Sequence, residues 1–180
     1  DGISKMVTSL VKVHGYPYAL INNAALGLDG ILPTMHNTDI AKLIEVNLLS
    51  PIILTKYLIR PMLVQRRGRI VNISSIVAES GYRGLSVYAA TKAGIQGFTH
   101  SLARDVGARN VTVNCIAPGF MDTEMTASLA DENLERIRRR SPLERFPSEL
   151  QVAATVEFLL SDAGDGITGT TLTVDAGNSA

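Results

Sequence analysis

The chain has one cysteine, Cys115, and no tryptophan among its 180 residues. A single thiol rules out an internal disulfide framework and a cysteine-rich zinc site. His14, His36 and His100 are scattered, with no carboxylate or cysteine pattern around them, so no metal site is expected. An excess of one charge is also lacking, since 17 basic residues balance 17 acidic ones. That balance argues against a broad basic surface for nucleic acid, though not against a small local patch. No apolar run spans a bilayer: the best, Leu48 to Ile59, is broken by Pro51 and Lys56, so no membrane partner is expected. The opening Asp1-Gly-Ile-Ser-Lys5 lacks a basic region followed by an apolar block. No signal peptide is expected, and a cytoplasmic location is the default. An initiator methionine is missing as well, which points to a sequence that begins inside a longer chain.

What is present is an ordinary globular composition. Hydrophobic residues make up 46% and charged residues 19%, in 19.3 kDa. This is neither a disordered tail nor a fibre, and it is enough chain for a substantial core. There is no repeat of fixed period and no low-complexity linker, so residues 1–180 are read as one domain.

The chain alternates helical and strand-like stretches. Met6, Val7, Leu10 and Val11 recur at helical spacing within Ile3 to His14. Tyr18 to Asn22 is a short apolar run that suits a buried strand. Thr38 or Asn37 can cap a long helix running to about Arg66, in which Pro51 predicts a kink or the tight first turn of a second segment. Arg69 to Ser74 is the next strand and Tyr88 to Val106 the next helix. Val111 to Ile116 is a strand stopped by Pro118-Gly119. Asp131 to Arg140 and Gln151 to Leu160 are helices, and Thr171 to Asp175 is the last strand. Strands separated by helices imply a parallel sheet covered on both faces, that is, an α/β doubly wound fold. Such sheets place ligands beyond the carboxyl ends of their strands. Asn22-Asn-Ala-Ala25, Ser74-Ser75 and Ala117-Pro-Gly119 follow the first three strands and should converge on one edge.

Tyr88 and Lys92 are four residues apart at the start of a helix, so they share a face. A phenol with a pKa near ~10 is a poor acid or base at neutral pH, and a nearby cation favours the phenolate. Tyr beside Lys at the ligand edge is therefore a sensible proton-transfer pair. Ser75, in the loop after the preceding strand, can donate to a carbonyl oxygen or hold a substrate alcohol. Taken alone, a Tyr-x-x-x-Lys pair is more often a solvated helix face.

The combination narrows the reading. Asn22-Asn-Ala-Ala25, Asn47, Ser75, Tyr88-Ala-Ala-Thr-Lys92-Ala and Ala117-Pro-Gly119 closely resemble, in order and spacing, the motifs of the short-chain dehydrogenase/reductase family. The resemblance runs through Ile167-Thr-Gly169 and Val174-Asp-Ala-Gly177. Within the family it is similar to the bacterial 3-oxoacyl-(acyl-carrier-protein) reductases, on Tyr88 to Leu102 and Asn114 to Thr126. It implies a Rossmann-like fold. It implies that Tyr88 donates the proton in carbonyl reduction, Lys92 holds the nicotinamide ribose and lowers the Tyr88 pKa, and Ser75 orients the substrate carbonyl. Asn47 would position a water linking Lys92 to solvent. Asn23, Ala24 and Ala25 would border the cofactor, with Asn23 and Ala24 on the adenine-ribose side. Pro118, Gly119, Met121 and Thr123 would line the nicotinamide side. The cofactor would be NADP(H) in preference to NAD(H).

The resemblance also carries departures. Ala25 stands where the family usually has glycine, and its methyl would narrow the cleft. Asp175-Ala-Gly177 replaces the usual Asp-Gly-Gly, a change expected to lie far from the chemistry and to be harmless. The glycine-rich turn for the pyrophosphate is absent, so the N-terminal half of the domain is expected to be missing here, leaving a piece that binds coenzyme weakly by itself. Arg136, Arg138, Arg139, Arg140 and Arg145 fall in the family's substrate lid. They read equally as a solvated face, balanced by Asp131, Glu132 and Glu135, or as attraction for an acidic carrier. Arg66 and Arg109 fall where the carrier-protein reductases dock their carrier. The helices Ile40 to Arg66 and Tyr88 to Val106 imply a homo-oligomer, a dimer or tetramer. The leading expectation is reduction of a 3-oxoacyl thioester on an acyl-carrier protein. The alternatives are another alcohol or ketone (sugar, steroid or small carbonyl) and a catalytically idle assembly subunit.

Overall fold

A computed structural model describes residues 2–122 and 131–180. Helix α1 (Gly2–His14) buries Val7. Strand β1 (Ala19–Asn22) follows. The long helical run then comes in three parts: α2 (Asn37–Ile44), a π-helical turn at Glu45–Leu49, and α3 (Ser50–Gln65). The expected cap at Thr38 or Asn37 is not found. Extended His36 is the N-cap and makes no side-chain bond, while its carbonyl accepts from the amides of Asp39 (3.0 Å) and Ile40 (3.2 Å). Asn37 and Thr38 are already inside the helix.

Pro51 explains the wide turn. Proline has no N–H to offer the carbonyl four residues back, so an α-helical ladder would break there. The chain instead widens by one residue. The Ser50 amide bonds to the Glu45 carbonyl, and the Ser50 hydroxyl joins it at 2.8 Å. Pro51 then opens α3, where a missing donor costs nothing.

Strand β2 (Gly68–Ile73), a single turn α4 (Val77–Ser80) and helix α5 (Ser86–Val106) follow. Strand β3 (Val111–Pro118) runs two residues further than its apolar stretch suggests, carrying Pro118 at its end. Then come α6 (Asp131–Arg140), α7 (Glu149–Leu160) and β4 (Thr171–Val174). A reciprocal capping box sets the start of α7. Ser148 Oγ accepts from the Gln151 amide at 3.3 Å, and Gln151 Oε1 accepts from the Ser148 amide at 3.0 Å.

The four strands pair in parallel in the order β1-β2-β3-β4. Side chains alternate across the sheet. Leu20, Ile70 and Val113 face one way, into a core closed by Val7 of α1, Leu58, Ile59 and Met62 of α3, and Ala103 and Val106 of α5. Val71 and Ile116 face the other way, against Leu159 of α7. Helices therefore cover both faces, and β2 and β3 are buried throughout apart from the half-buried Ile73. Cys115 is fully buried mid-strand, as expected of a small hydrophobe.

The α3/α5 face also holds a polar network. Asn22 of β1 sits opposite Asn72 of β2. Asn22 Nδ2 donates to Asn72 Oδ1 (2.7 Å) and to Thr55 Oγ1 (3.1 Å), and Asn72 Nδ2 donates to Thr99 Oγ1 (2.8 Å). Thr99 passes its own proton to the Ile95 carbonyl at 2.8 Å. Two strands and two helices are thus pinned together just below the carboxyl edge of the sheet.

After β4 the chain makes a tight turn. The buried Asp175 carboxylate accepts from the Gly177 amide (2.9 Å) and from the Ser179 amide (2.7 Å) and hydroxyl (2.6 Å). Ala176 adopts a left-handed backbone with φ of 57°. The replacement of glycine there is therefore not harmless, because an L-residue is strained in that conformation. Nor is the turn remote from the expected site. A Cβ built on Gly119 would come within 2.7 Å of Asp175 Cβ.

Candidate active site

The three loops expected to converge do so at the carboxyl edge. After β1, Asn23 and Ala24 are exposed and Ala25 is half-buried. Asn47, projecting from the π-helical turn, organises this loop. Its Oδ1 accepts from the Leu26 amide at 2.7 Å and its Nδ2 donates to the Leu26 carbonyl at 2.8 Å. The same Nδ2 reaches Thr91 Oγ1 at 3.4 Å, and Thr91 donates to the Tyr88 carbonyl at 2.7 Å. Asn47 thus ties the β1 loop to α5, and its bonds go to Leu26 and Thr91, not to Lys92.

Ser75 lies in the loop after β2. Its Oγ accepts from the Val77 amide at 3.2 Å, at the start of the short turn α4. The Ser75 hydroxyl lies close enough to Tyr88 to pull the phenol's pKa downward. Tyr88 and Lys92 lie on one face of α5, with Lys92 Nζ 5.6 Å from the centroid of the Tyr88 ring. Lys92 is only 3% exposed, and its ammonium donates to the Ile73 carbonyl at 2.8 Å. Ser74, next to Ser75, donates to the Lys92 carbonyl at 3.0 Å. The end of β2 therefore holds Lys92 from two sides.

The electrostatics correct one expectation. Burial pushes the Tyr88 phenol above its ordinary value of 10.0, and the Ser75 hydrogen bond pulls back only part of the way. Lys92 does not bring it down here. Burial instead lowers Lys92 itself, from 10.5 to about 8, with the nearby Cys115 opposing the shift. The Cys115 thiol is pushed up to about 11 by the same burial. At neutral pH this is a protonated phenol beside a protonated serine, with a buried ammonium one helical turn on.

The third loop leaves β3. The Ile76 amide donates to the Pro118 carbonyl at 3.0 Å, and the Gly119 amide donates to the Val174 carbonyl at 2.9 Å. Met121 and Asp122 border a cavity of about 380 Å³ closed by Phe146, Pro147 and Leu150. The Phe120 ring packs on Tyr82 with centroids 5.3 Å apart and planes tilted by 58°. Thr123 lies outside the described residues.

The fold thus brings Asn47, Ser75, Tyr88 and Lys92 to one edge, with Asn23, Ala24, Ala25, Pro118, Gly119 and Met121 on the flanking loops. Sequence reasoning missed the carbonyl of Ile73 as the partner of Lys92, because a main-chain acceptor leaves no trace in residue types. It missed Thr91 and the Asn72 network as well. The facing asparagines at the ends of two neighbouring strands were the available signal for the latter.

An open parallel sheet with a Ser–Tyr–Lys group at its carboxyl edge defines a Rossmann-like α/β domain of the oxidoreductase type. The family model described as enoyl-(acyl carrier protein) reductase matches residues 1–179. The chain belongs to the short-chain dehydrogenase/reductase family. It is 41% identical over 158 residues to nodulation protein G of Rhizobium sp. (strain N33), covering 88% of this chain and 64% of that protein. It is 41% identical over 163 residues to the 3-oxoacyl-(acyl-carrier-protein) reductase of Pseudomonas aeruginosa, covering 91% and 66%. The corresponding reductase of Vibrio cholerae is 38% identical over 177 residues, covering 98% and 72%. The chain thus spans about two thirds of the length of the curated relatives it matches.

Proposed function

We propose that the natural protein reduces a 3-oxoacyl thioester to the 3-hydroxyacyl thioester, using a nicotinamide cofactor, with Tyr88 as proton donor. The observation that carries this is Tyr88 on α5 with the buried Lys92 ammonium 5.6 Å from its ring, held by the Ile73 carbonyl, and Ser75 at the adjoining end of β2. A phenol is protonated at neutral pH and can donate its proton to a carbonyl oxygen as charge develops there. Ser75 Oγ would donate to the same carbonyl oxygen. As negative charge develops on that oxygen, the two hydroxyls stabilise it and Tyr88 transfers its proton. The Lys92 ammonium, held by the Ile73 carbonyl and 5.6 Å from the ring centroid, would hold the nicotinamide ribose beside the phenol.

The residues present fit the ribose and nicotinamide end of such a cofactor. Lys92 is a buried cation next to the phenol, and Gly119 leaves the backbone after β3 free of a Cβ. Asn23, Ala24 and Ala25 would border it on one side, and Pro118, Gly119, Met121 and Thr123 on the other. When bound, the cofactor supplies the hydride. NADPH is proposed over NADH because the reading is a biosynthetic reduction.

The substrate is proposed to arrive on an acyl-carrier protein. Two relatives named as 3-oxoacyl-(acyl-carrier-protein) reductases support this. So do the exposed Arg66 and Arg109, which lie close together, Arg66 Nη2 donating to the Ala108 carbonyl at 3.1 Å. Of the α6 arginines, Arg138 and Arg139 pair with Glu135 at 2.6 and 3.1 Å and read as a solvated face. A homo-oligomer built on α3 and α5, and a cytoplasmic location, complete the proposal.

The test uses the natural protein. NADPH oxidation is followed with acetoacetyl-carrier protein and with a panel of sugars, steroids and small ketones. Turnover of the thioester that falls by three orders of magnitude or more in Tyr88→Phe, with the fold intact, supports the proposal. Preference for another carbonyl sinks the substrate assignment, and a Tyr88→Phe variant as active as its parent sinks the mechanism.

A further inference from the structure

We propose that the turn Asp175–Ser179 is a clasp that anchors helix α6, with Asn178 as its positioning residue. Asn178 Nδ2 donates to the Ile137 carbonyl at 3.3 Å and to Ser141 Oγ at 3.2 Å. Both partners are withdrawn from water, Ile137 at 6% and Ser141 at 2% exposure. One side-chain amide therefore holds the last turn of α6 and the residue that follows it. The backbone of the turn takes the next stretch, as the Leu143 amide donates to the Ala176 carbonyl at 3.3 Å. Gly177 lies so close to Pro142 that a Cβ would meet its ring at 2.8 Å. At its other side the turn packs on the active-site loop. Asp175 lies within 2.7 Å of where a Gly119 Cβ would be, and the Gly119 amide is tied to Val174 at 2.9 Å.

The loop leaving β3 and the far end of α6 thus rest on one five-residue turn. The turn is itself rigid, because Asp175 accepts three hydrogen bonds from its own neighbours. Two lines of force meet there: the backbone that carries the Pro118–Met121 loop, and the helix proposed by resemblance to cover the substrate. Removing Asn178 leaves the strand, the turn and the core intact. It frees only α6 and its connection to Pro142. The consequence for catalysis rests on the reading of α6 as substrate cover under the proposed function; the anchorage does not.

The experiment compares the natural protein with Asn178→Leu, which keeps the side-chain bulk and removes both bonds. Limited trypsin digestion reads the anchorage without any substrate. Cleavage after Arg138, Arg139 and Arg140 should accelerate about tenfold, the change in local opening expected for one or two lost hydrogen bonds. Cleavage after Arg66 and Arg67, at the α3–β2 junction, should stay within twofold. Ser141→Ala, which removes one of the two acceptors, should move the α6 sites the same way by about threefold. In the kinetic arm, KM for the thioester should rise severalfold in Asn178→Leu while kcat holds within twofold. If the α6 sites accelerate no more than the Arg66 and Arg67 sites, the clasp is refuted, whether or not the variant is globally weakened. If cleavage accelerates and KM does not move, the clasp stands and the reading of α6 as substrate cover falls.

Discussion

Ala176 offers a measurement with a worked sign. Its φ of 57° puts an L-residue in the left-handed region, at the position where Gly177 follows with φ of 86°. Holding a side chain there costs ~1–2 kcal/mol relative to glycine. Replacing it by glycine removes that strain. Against this, glycine has more freedom to lose on folding, which costs ~0.5–1 kcal/mol. The lost methyl is only half-buried, so its contribution is a fraction of the ~0.8 kcal/mol of a buried methylene. Strain relief should win, and Ala176→Gly should stabilise the natural protein by about 0.5 kcal/mol. For a domain of roughly 150–250 residues, that is a rise in Tm of about 1–2 °C. The opposite perturbation sharpens the test. Ala176→Val places a β-branched side chain in the same conformation and should destabilise by more than 1 kcal/mol, roughly the cost of an outlier of this kind. Denaturant unfolding of the three proteins at one pH reads both. If glycine lowers the midpoint, or valine leaves it unchanged, the strain at Ala176 is not what limits this turn.

Two further outcomes follow from the buried polar groups. Lys92 is lowered from 10.5 to about 8, so the unfolded chain binds the extra proton between those values. Unfolding free energy should therefore rise with pH across that window, by up to about 1.4 kcal/mol per pH unit. Cys115, raised to about 11 from 9.0, works in the opposite direction above pH 9. The gain should thus be clearest between pH 8 and 9, and absent in Lys92→Met when the two are titrated side by side. A flat difference between them over that interval would refute the burial argument. Asn72→Leu takes one of two acceptors from the half-buried Asn22 amide, which keeps Thr55, and removes a donor from the buried Thr99, and should cost about 1–2 kcal/mol in denaturant unfolding. Adding Asn22→Leu should recover part of that loss, since it removes the donor left one bond short; a purely additive double variant would show that the two side chains do not act as a pair.

Much of this architecture can be read from residue types. The apolar runs in β2 and β3 announce strands buried on both faces, and Pro118-Gly119 marks where the third one stops. Ser75, Tyr88 and Lys92 are legible through the resemblance of the motifs around them, since their spacing alone is more often a solvated helix face. Other features are not written in residue types. The one-residue widening at Glu45–Leu49 comes from a missing donor at Pro51, and proline could equally have bent the helix. The raised phenol of Tyr88 depends on how much of the ring the loops cover, which no spacing encodes. The Asp175–Ser179 turn is invisible as a support for α6, because its reach across 37 positions from Ser141 to Asn178 is a product of folding alone.

The strand order has a consequence for how the molecule is made. Each strand pairs with the one before it in the chain, so the sheet can grow from β1 to β4 in the order a ribosome releases it. Ser75, just after β2, and Tyr88 and Lys92 on α5 precede β4 in the chain and can settle against one another before β4 exists. The turn after Val174 comes out later than both segments it holds. A nascent chain stalled before Asp175 would carry Ser75, Tyr88 and Lys92 with α6 still lacking its bonds to Asn178, so during synthesis the carboxyl edge of the sheet is assembled before α6 is secured.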